Sequence, residues 1–582
     1  MKLKETIKRT LAALYKSIIR FPATLFLTFS VTVMLITIIE LDPDISRSLE
    51  EYLIRITLIL AMGIPVSLIV KFIIEKKENI KSIYEAVLYL CSAAFLAIYY
   101  FFFLTDFDMV PITRYIILSA IFYLAAIVIP YFYRRDFFEL YVVRLITRFF
   151  TSVLFSAVLL IGIFLILFTV DALLDIKVYD KLYFYVFLVL AGIFAPTHFL
   201  AGVPLKTQNL DSDSLPALLR ILLLYIVMPL ILAYTTILYI YFIKIIITLK
   251  WPVGLVAQLV LWYCMVSIIV MFLASPLKEG SKWAKTFIFW FPKLVIPLLI
   301  MLYIAVWIRI SSYGITEYRY FVILAALWVT GIMTYLNLSK IKRNIIIPVS
   351  LSIVMLISIV GPTSAYTISK FSQNQRFSKI LVKYGMLTDS RIVKPKREIN
   401  QKDGTEIIGI LEYFDKNHSL RDVRYLPKDF ELNDKTLRKT FGIPYEKNNY
   451  LLEKYFSYYV KEYSNISEVK GYDFMYNSTY TGEALFKGYK LKSKYDRLSN
   501  EYTLTYNGKE IYRQNLKVYA DKLNEQFDEN YNNALEEKYM IFTDENKKVK
   551  IKFMFFNISG HKESSDKTVI DSLDFSSLIK IK

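Results

Sequence analysis

Long apolar runs occupy the first two-thirds of the chain. Between Phe21 and Ser369, charged residues fall into short clusters, and the runs between them are about 20 residues long, the length that crosses roughly 30 Å of hydrocarbon. Each run predicts a membrane-spanning helix. We place eleven of them, at residues 21–39, 53–74, 84–104, 112–132, 149–170, 182–203, 218–247, 252–274, 287–308, 319–339 and 344–368.

The last third of the chain has the mixed polar and apolar pattern of a soluble domain. From Ser369 to Met386, apolar residues recur at near-helical spacing and predict an amphipathic helix that leads out of the membrane. A second helix is predicted from Thr405 to Asn417. Leu516 to Phe527 shows one apolar face of a third.

Strand patterns dominate the remainder of this domain. Tyr502, Leu504 and Tyr506 alternate with threonines and run into Asn507-Gly508, a strong hairpin signal. Residues 549–553 alternate apolar residues with lysine after a turn at 544–546 and predict a second hairpin. The predicted fold is therefore a polytopic all-α membrane bundle (residues 1–368) followed by a soluble α+β domain with antiparallel strands (residues 369–582).

The distribution of basic residues predicts the orientation. Lysines and arginines precede the first span, which lacks a small-residue cleavage site and so reads as a retained helix. Basic clusters recur in alternate loops, at 76–81, 134–148, 278–285 and 340–343, whereas the other loops are neutral or acidic. By the positive-inside rule, the amino terminus is cytoplasmic. With an odd number of spans, the C-terminal domain is then extracytoplasmic, on a bacterial inner membrane.

Composition narrows the classes of function. Hydrophobic residues make up 55% of the chain, which requires the lipid bilayer as a partner. The net charge of +19 lies in membrane loops or is mixed with acidic residues, so we expect no nucleic-acid partner. The two cysteines, Cys91 and Cys264, both fall in spans, which excludes a disulfide framework and a thiolate metal site in the soluble domain.

Several motifs resemble the bacterial membrane-protein family catalogued as domain of unknown function 4153. The most specific is the run Tyr313 to Tyr320, preceded by Arg309. The resemblance implies a multi-pass bacterial membrane protein with an appended domain and no established activity. The further matching motifs are Trp251-Pro252 with Gly254, Pro297, Gly361-Pro362 leading to Ser369, Ser372-Gln373 and Arg376, and Ile408 to Tyr413 with His418.

The same run supplies the leading candidate site. Glu317 is expected between the guanidinium groups of Arg309 and Arg319 at the outer interface. Two interpretations are open: the group binds an anionic headgroup or fastens the soluble domain through bidentate pairs, or it is a structural ion pair within an aromatic belt. Gly314 is expected to supply a turn. The candidate cluster is Arg309, Tyr313, Gly314, Glu317, Arg319 and Tyr320.

Polar residues within the spans form a second, weaker set. Ionisable groups near the midplane mark many ion-coupled transporters, and here the charged residues lie near helix ends. His198, Gln258 and Asn337 are the intramembrane polar candidates, each also interpretable as an interhelical hydrogen-bonding residue. Prolines within spans, Pro297 among them, are compatible with broken helices around a substrate site or with ordinary membrane-helix composition.

No catalytic motif is found. The chain has three histidines and no zinc, Walker or nucleophile-elbow motif, so we expect no enzyme, no cofactor and no metal site. The favoured hypothesis is a non-enzymatic envelope protein whose membrane block anchors an extracytoplasmic domain that senses or binds an envelope component or a partner membrane protein. The alternative is a permease for a small or amphipathic solute with the soluble domain as lid or receptor. A lipid-linked transferase ranks third.

Overall fold

A computed structural model describes most of the chain. The chain divides into two compact units. The membrane unit comprises Met1–Lys383 and Tyr413–Asp429, and the C-terminal unit comprises Tyr384–Glu412 and Phe430–Lys582. The sequence pattern predicts a boundary after residue 368, whereas the residues from there to Lys383 group with the membrane unit. The described residues are 12–41, 47–76, 81–132, 138–174, 177–204, 217–248, 255–339, 343–389, 391–444, 454–461, 469–478, 483–486, 490–497, 499–527, 532–562 and 568–582.

The membrane unit is built mainly of helices. Among the residues that the structure describes, ten helices are long and apolar enough to cross a membrane, and an eleventh is apolar but shorter. Ten of the expected spans are thus confirmed. The helices are α1 (Pro22–Ile39), α2 (Arg47–Lys76), α3 (Ser82–Phe102), α4 (Met109–Val128), α5 (Phe138–Leu174), α6 (Asp180–Ala201), α7 (Ala217–Thr248), α8 (Leu255–Ala274), α9 (Lys282–Tyr313), α10 (Glu317–Leu338) and α11 (Ile346–Ile359).

Small polar residues allow close packing of the first helices. The face of α1 that carries Thr24, Thr28 and Thr32 is buried, and the Thr24 hydroxyl lies 2.8 Å from that of Ser67 in α2. Close to Thr32, Gly192 leaves so little space that an added Cβ would lie 2.0 Å from the threonine Oγ1. Hydroxyls and glycines at helix interfaces let backbones approach where lipid gives no hydrophobic drive between helices.

Two helices contain a widened turn next to a proline. In α6 a π-helical turn, Leu190–Phe194, ends two residues before Pro196, and in α7 another, Leu222–Val227, ends two residues before Pro229. Proline removes a backbone N–H and its ring crowds the preceding turn, which a local π turn accommodates.

The eleventh helix ends earlier than the sequence pattern indicates. The expected span of 344–368 is corrected by the structure, in which α11 stops at Ile359 and Val360 is extended. Gly361 follows with φ of +77°, and Pro362 cannot continue a hydrogen-bonded helix. A new helix, α12 (Ala365–Lys383), then begins four residues before the expected Ser369.

Although α11 is short, the helix together with its flanking residues runs alongside α10 from one end to the other. At one end the Arg343 N–H donates to the Tyr335 hydroxyl, at 2.7 Å. Midway, the Trp328 indole donates to Ser350, at 3.0 Å. At the other end the Tyr320 hydroxyl donates to the carbonyl of Thr363. The segment is therefore antiparallel to α10 over nearly its whole length.

The C-terminal unit is mixed α+β. Besides two large sheets, its described part contains three α-helices and a small two-stranded sheet. Helix α13 (Gln401–Asn417) contributes residues 401–412 to this unit, and its last turn belongs to the membrane unit. Inside the unit, Asp403 accepts a 2.7 Å hydrogen bond from the Tyr384 hydroxyl. The remaining small elements are β1 (Leu387–Thr388), β2 (Arg391–Ile392), α14 (Asp434–Phe441) and α15 (Lys517–Gln526).

Two sheets form the body of this unit. The first has six strands in the order β4-β12-β11-β3-β9, with β10 also paired to β11, and its β3–β9 pair is parallel. The second is an antiparallel sheet in the order β5-β6-β7-β8. The strands are β3 (Lys454–Val460), β4 (Phe474–Asn477), β5 (Glu483–Phe486), β6 (Leu491–Asp496), β7 (Glu501–Tyr506), β8 (Lys509–Asn515), β9 (Asn532–Leu535), β10 (Ile541–Glu545), β11 (Val549–Lys562) and β12 (Thr568–Ile581).

An aromatic core joins the two sheets. Tyr502 of β7 is fully buried, with its ring edge-on to Phe553 of β11 at 5.2 Å and to Phe575 of β12 at 5.9 Å. Its hydroxyl bonds Ser493 at 2.8 Å and Ser577 at 3.2 Å. A buried tyrosine needs such partners, because an unsatisfied hydroxyl in the core is costly.

Candidate functional site

The turn between α9 and α10 is built around Gly314. This residue has φ of +67°, a conformation that other residues resist, in agreement with the expected turn. An added Cβ would also lie 2.6 Å from Cδ of Arg376 and 3.2 Å from Nε2 of Gln373. The glycine therefore permits both the backbone conformation and the close approach of α12.

The arginines around this turn bind backbone carbonyls. The Arg319 guanidinium donates to the carbonyls of Tyr313, at 3.1 Å, and Gly314, at 2.9 Å, and lies over the Tyr313 ring. Arg376 donates to the carbonyls of Ser312 and Tyr313. Carbonyls at a helix C-terminus lack intrahelical partners, so these guanidiniums close the end of α9.

The expected Arg–Glu–Arg arrangement is thereby corrected. Arg309 is half-buried on the last turns of α9, and within the described residues neither it nor Arg319 forms an ion pair with Glu317. The reason is geometric. Glu317 is the first residue of α10, and its side chain points toward the segment after α13, whereas Arg319 folds back over the turn.

Glu317, Tyr413 and His418 form a buried polar cluster of the membrane unit. His418 Nε2 lies 2.7 Å from Glu317 Oε1, and the Tyr413 hydroxyl donates to the same oxygen. The side chains of His418 and Glu317 are only 2% and 7% exposed. Because a carboxylate only accepts, the shared hydrogen is assigned to Nε2 of the imidazole. The N-terminus of α10 also favours a negative group at this position.

Tyr413 remains a hydrogen-bond donor across the ordinary pH range. Burial, followed by the neighbouring Glu317 carboxylate, raises the pKa of Tyr413 well above its usual value. The phenol therefore keeps its proton and donates it to Glu317. The cluster therefore links α10 to residues 413–418 of the same unit through buried hydrogen bonds.

Helix α12 connects the Gly314 turn to the segment that carries His418. Toward the turn, Ser372 accepts from the Ile315 N–H at 2.9 Å, and Gln373 donates to the Ile315 carbonyl at 3.0 Å. Toward the segment, buried Asn374 donates to the Asp422 carbonyl at 2.9 Å and accepts from the Arg424 N–H at 2.7 Å. Three consecutive polar side chains of α12 thus hold two separate backbone stretches.

Tyr320 and Gln258 complete the contacts near the start of α10. Tyr320 holds the carbonyl of Thr363, where the chain leaves α11. Gln258 of α8 donates to the hydroxyl of Tyr318 and so links two helices. The interpretation of Gln258 as an interhelical hydrogen-bonding residue matches this contact.

The other two intramembrane candidates lie apart from Gln258. His198 of α6 is 2.7 Å from the Ser152 hydroxyl of α5 through Nδ1, and its ring packs against Phe155 and Phe194. Asn337, near the end of α10, has a buried amide without a hydrogen-bond partner among the described residues. His198 and Gln258 therefore form hydrogen bonds with different helices, and in the described part of the chain no hydrogen-bond partner is common to the three candidates.

The C-terminal unit contains a groove between its two sheets. Strands β4 and β12 form one wall and β5, β6 and β7 the other, around a volume of about 750 Å³. The Phe474 and Phe486 rings meet across it at 5.7 Å. Met475, Leu485 and Phe486 are more than half exposed along it, although apolar side chains of this size normally lie in a core. A groove of this volume, lined mainly by apolar side chains with polar ones such as Asp473 among them, is suited to a small ligand.

Sequence reasoning missed how Glu317 is paired. Tyr413 and His418 lie about a hundred residues further on. Both belong to a motif quoted for the family resemblance, and their spacing of five residues brings both to the end of one helix, but neither signal points to Glu317. Asn374 and the groove of the C-terminal unit were likewise outside the sequence-based candidates. Trp251, Pro252 and Gly254, quoted for the resemblance, lie outside the described residues.

The helical block and its appended strands define a multi-pass integral membrane protein. The chain belongs to the family described as "Domain of unknown function (DUF4153)", whose profile matches residues 27–390, well over half of the chain. It is similar to the uncharacterized protein PM1469 of Pasteurella multocida (strain Pm70), with 25% identity over 198 residues, which is 34% of each chain. The match thus spans about a third of that relative. No solved structure matches the chain.

Proposed function

We propose that this chain is a non-enzymatic binding protein of the bacterial inner membrane. Its C-terminal unit binds a small amphipathic component of the envelope on the extracytoplasmic side, and the membrane unit anchors it there. The observation that carries the proposal is the apolar groove between the two sheets, with half-exposed Met475, Leu485 and Phe486 along it. Apolar surface left open in a groove of ligand size favours a molecule with an apolar body.

The path of α11 supports the extracytoplasmic placement. A helix of 14 residues is about 21 Å long, less than the roughly 30 Å of a hydrocarbon core. Nevertheless, the segment from Arg343 to Thr363 pairs with both ends of α10, which is itself long enough to cross. Counted as a crossing, it makes eleven in the described part of the chain and brings the two termini to opposite sides.

Hydrogen–deuterium exchange on the full chain in nanodiscs tests the binding role. The probe is sodium decanoate, and sodium butanoate is the short-chain control. We expect decanoate alone to slow exchange in β4 and β6, the walls of the groove. Met475→Asp and Leu485→Asp place a charge in the groove and should abolish this protection.

A matched substitution separates groove binding from general effects. Val518 is 40% exposed on α15 and does not line the groove, so Val518→Asp should retain the protection by decanoate. Equal protection in all variants, or none in the unmodified chain, would refute the binding role.

Labelling by a membrane-impermeant maleimide tests the placement. Cys91 and Cys264 are first replaced by alanine, and a single cysteine is introduced at exposed Lys547, in the turn before β11, or at exposed Glu279, between α8 and α9. Cells with a permeabilised outer membrane should label the cysteine at 547 and leave the cysteine at 279 unlabelled until lysis. The opposite pattern, or labelling of both, contradicts the proposed orientation.

A further inference from the structure

A second cavity lies in the membrane unit, where α8, α9, α10 and α11 meet. The chain leaves α8 in a 3-10 turn, Ser275–Lys278, and re-enters the bundle at Lys282. Around this turn is a cavity of about 260 Å³, roughly the volume of nine water molecules. We call it the basic cavity; its lining includes Met271, Ser275, Lys278, Lys285, Phe289 and Asn344.

A buried amide orders the polar floor of the basic cavity. Asn344 is 6% exposed, and its Nδ2 donates to Glu139 Oε1 at 2.6 Å and to the Ser275 hydroxyl at 3.0 Å. Glu139 brings one carboxylate close to the cavity, but its Oε1 already accepts a hydrogen bond from the Asn344 amide. The contacts hold the turn that carries Lys278 against the start of α11.

Two lysines supply the charge. Lys278 and Lys285 both line the cavity with exposed side chains, and in the described ranges neither has a carboxylate partner within ion-pair distance. With Glu139 counted, the three groups leave an excess of one positive charge. Ammonium groups without a protein partner at the edge of a cavity favour an anion.

The position of the basic cavity fits the headgroup region of a bilayer. One turn after Phe289, the Lys293 ammonium lies 3.6 Å from the Phe289 ring centroid and 4.5 Å from that of Trp290. Aromatic rings with lysines beside them are typical of the membrane–water interface. Met271 and Phe289 add apolar walls to the polar floor, as a molecule with a charged head and an apolar body requires.

We propose that the basic cavity binds a phosphate group, held between the ammonium groups of Lys278 and Lys285. Two sources share this chemistry, the headgroup of an anionic phospholipid and free phosphate. Basic sites between membrane helices attract anionic lipid, each lysine near the surface contributing about a factor of five in affinity. The inference does not depend on the groove of the C-terminal unit or on the orientation of the chain.

The test uses the delipidated full chain in detergent. Native mass spectrometry measures binding of phosphatidylglycerol, with zwitterionic phosphatidylcholine for comparison, and thermal denaturation measures the effect of inorganic phosphate against chloride. We expect phosphatidylglycerol to bind at least tenfold more tightly than phosphatidylcholine. The double variant Lys278→Gln/Lys285→Gln should bind it about 25-fold more weakly.

The matched control is Lys282→Gln, which removes an exposed charge from the first turn of α9 without changing the cavity lining. It should bind phosphatidylglycerol within twofold of the unmodified chain. A lysine-dependent shift of the melting temperature by inorganic phosphate, without preference for phosphatidylglycerol, would identify free phosphate as the ligand.

Equal binding of both lipids without a phosphate effect, or equal binding by the double variant, overturns the proposal. If the double variant is not folded in detergent, the single variants and the salt dependence of binding to the unmodified chain decide the matter. Added salt should weaken an electrostatic site and leave a purely apolar one unchanged.

Discussion

The buried Glu317 carboxylate should be worth several times more to stability than an exposed one. It accepts hydrogen bonds from Tyr413 and His418, and the His418 and Glu317 side chains are nearly inaccessible. A charge-assisted hydrogen bond contributes about 1.5–3 kcal/mol and a neutral one about 1 kcal/mol. Glu317→Gln keeps the shape and one acceptor but weakens both bonds, so the free energy of unfolding should fall by about 2 kcal/mol.

Removing the side chain should cost more. Glu317→Ala removes the carboxylate that accepts from the Tyr413 hydroxyl and from the His418 ring N–H, and leaves these two groups only each other, 3.1 Å apart, at about 1–3 kcal/mol for each lost bond. We therefore expect a loss of about 4 kcal/mol for this variant. The control is Glu279→Gln, at an exposed position of the turn between α8 and α9, where the change should stay within about 0.5 kcal/mol.

Thermal denaturation of the full chain in detergent, together with limited proteolysis, provides the assay. The lost contacts join α10 to residues 413–418, so the Glu317 variants should be cleaved faster within 413–424 while α10 stays protected. A double-mutant cycle with His418→Gln should give a coupling energy of about 1–3 kcal/mol. If the effects of the Glu317 and His418 substitutions on stability are additive, or if Glu317→Gln is as stable as Glu279→Gln, the cluster does not stabilise the contact between α10 and residues 413–418.

Two further predictions concern a backbone turn and a buried hydroxyl. Gly314→Ala should lower the free energy of unfolding by about 1–3 kcal/mol because of its φ of +67° and the nearby Arg376, whereas Gly331→Ala, in open space on α10, should be neutral or stabilising, as thermal denaturation can show. In the C-terminal unit, burial raises the pKa of Tyr502 to about 12. Its contribution to stability is full below pH 10 and is lost as the pH rises toward 12, so hydrogen exchange in β7 should accelerate less steeply over that range in Tyr502→Phe.

Local patterns of the sequence predicted the membrane helices and the hairpin at Asn507-Gly508. Charge-free runs of spanning length identified ten helices because lipid requires an apolar surface along each one. The Asn507-Gly508 hairpin is present with φ of +51° and +77°, the pair of positive values that a tight two-residue turn needs. These features depend on residues that are neighbours in the sequence, so the local order of side chains is enough to predict them.

Pairings across long separations were not accessible in this way. The parallel β3–β9 pair joins strands more than seventy residues apart, and alternation within each strand says nothing about its partner. The shortening of α11 had a local signal, Gly361-Pro362, but hydrophobicity continues to Ile359 and beyond, so the length of the apolar run overstated the helix.

At the candidate site, the sequence wrongly predicted an Arg–Glu–Arg group and did not reveal the true partners of Glu317. Both outcomes have one physical cause. A carboxylate flanked in sequence by arginines invites pairing with them, yet the carbonyls left unpaired at the end of α9 compete for the same guanidiniums. With Arg319 and Arg376 occupied by the backbone, Glu317 is free to accept from Tyr413 and His418. Charge order along a chain thus predicts which groups must find partners at a helix junction, whereas the competition with backbone carbonyls decides which partners they obtain.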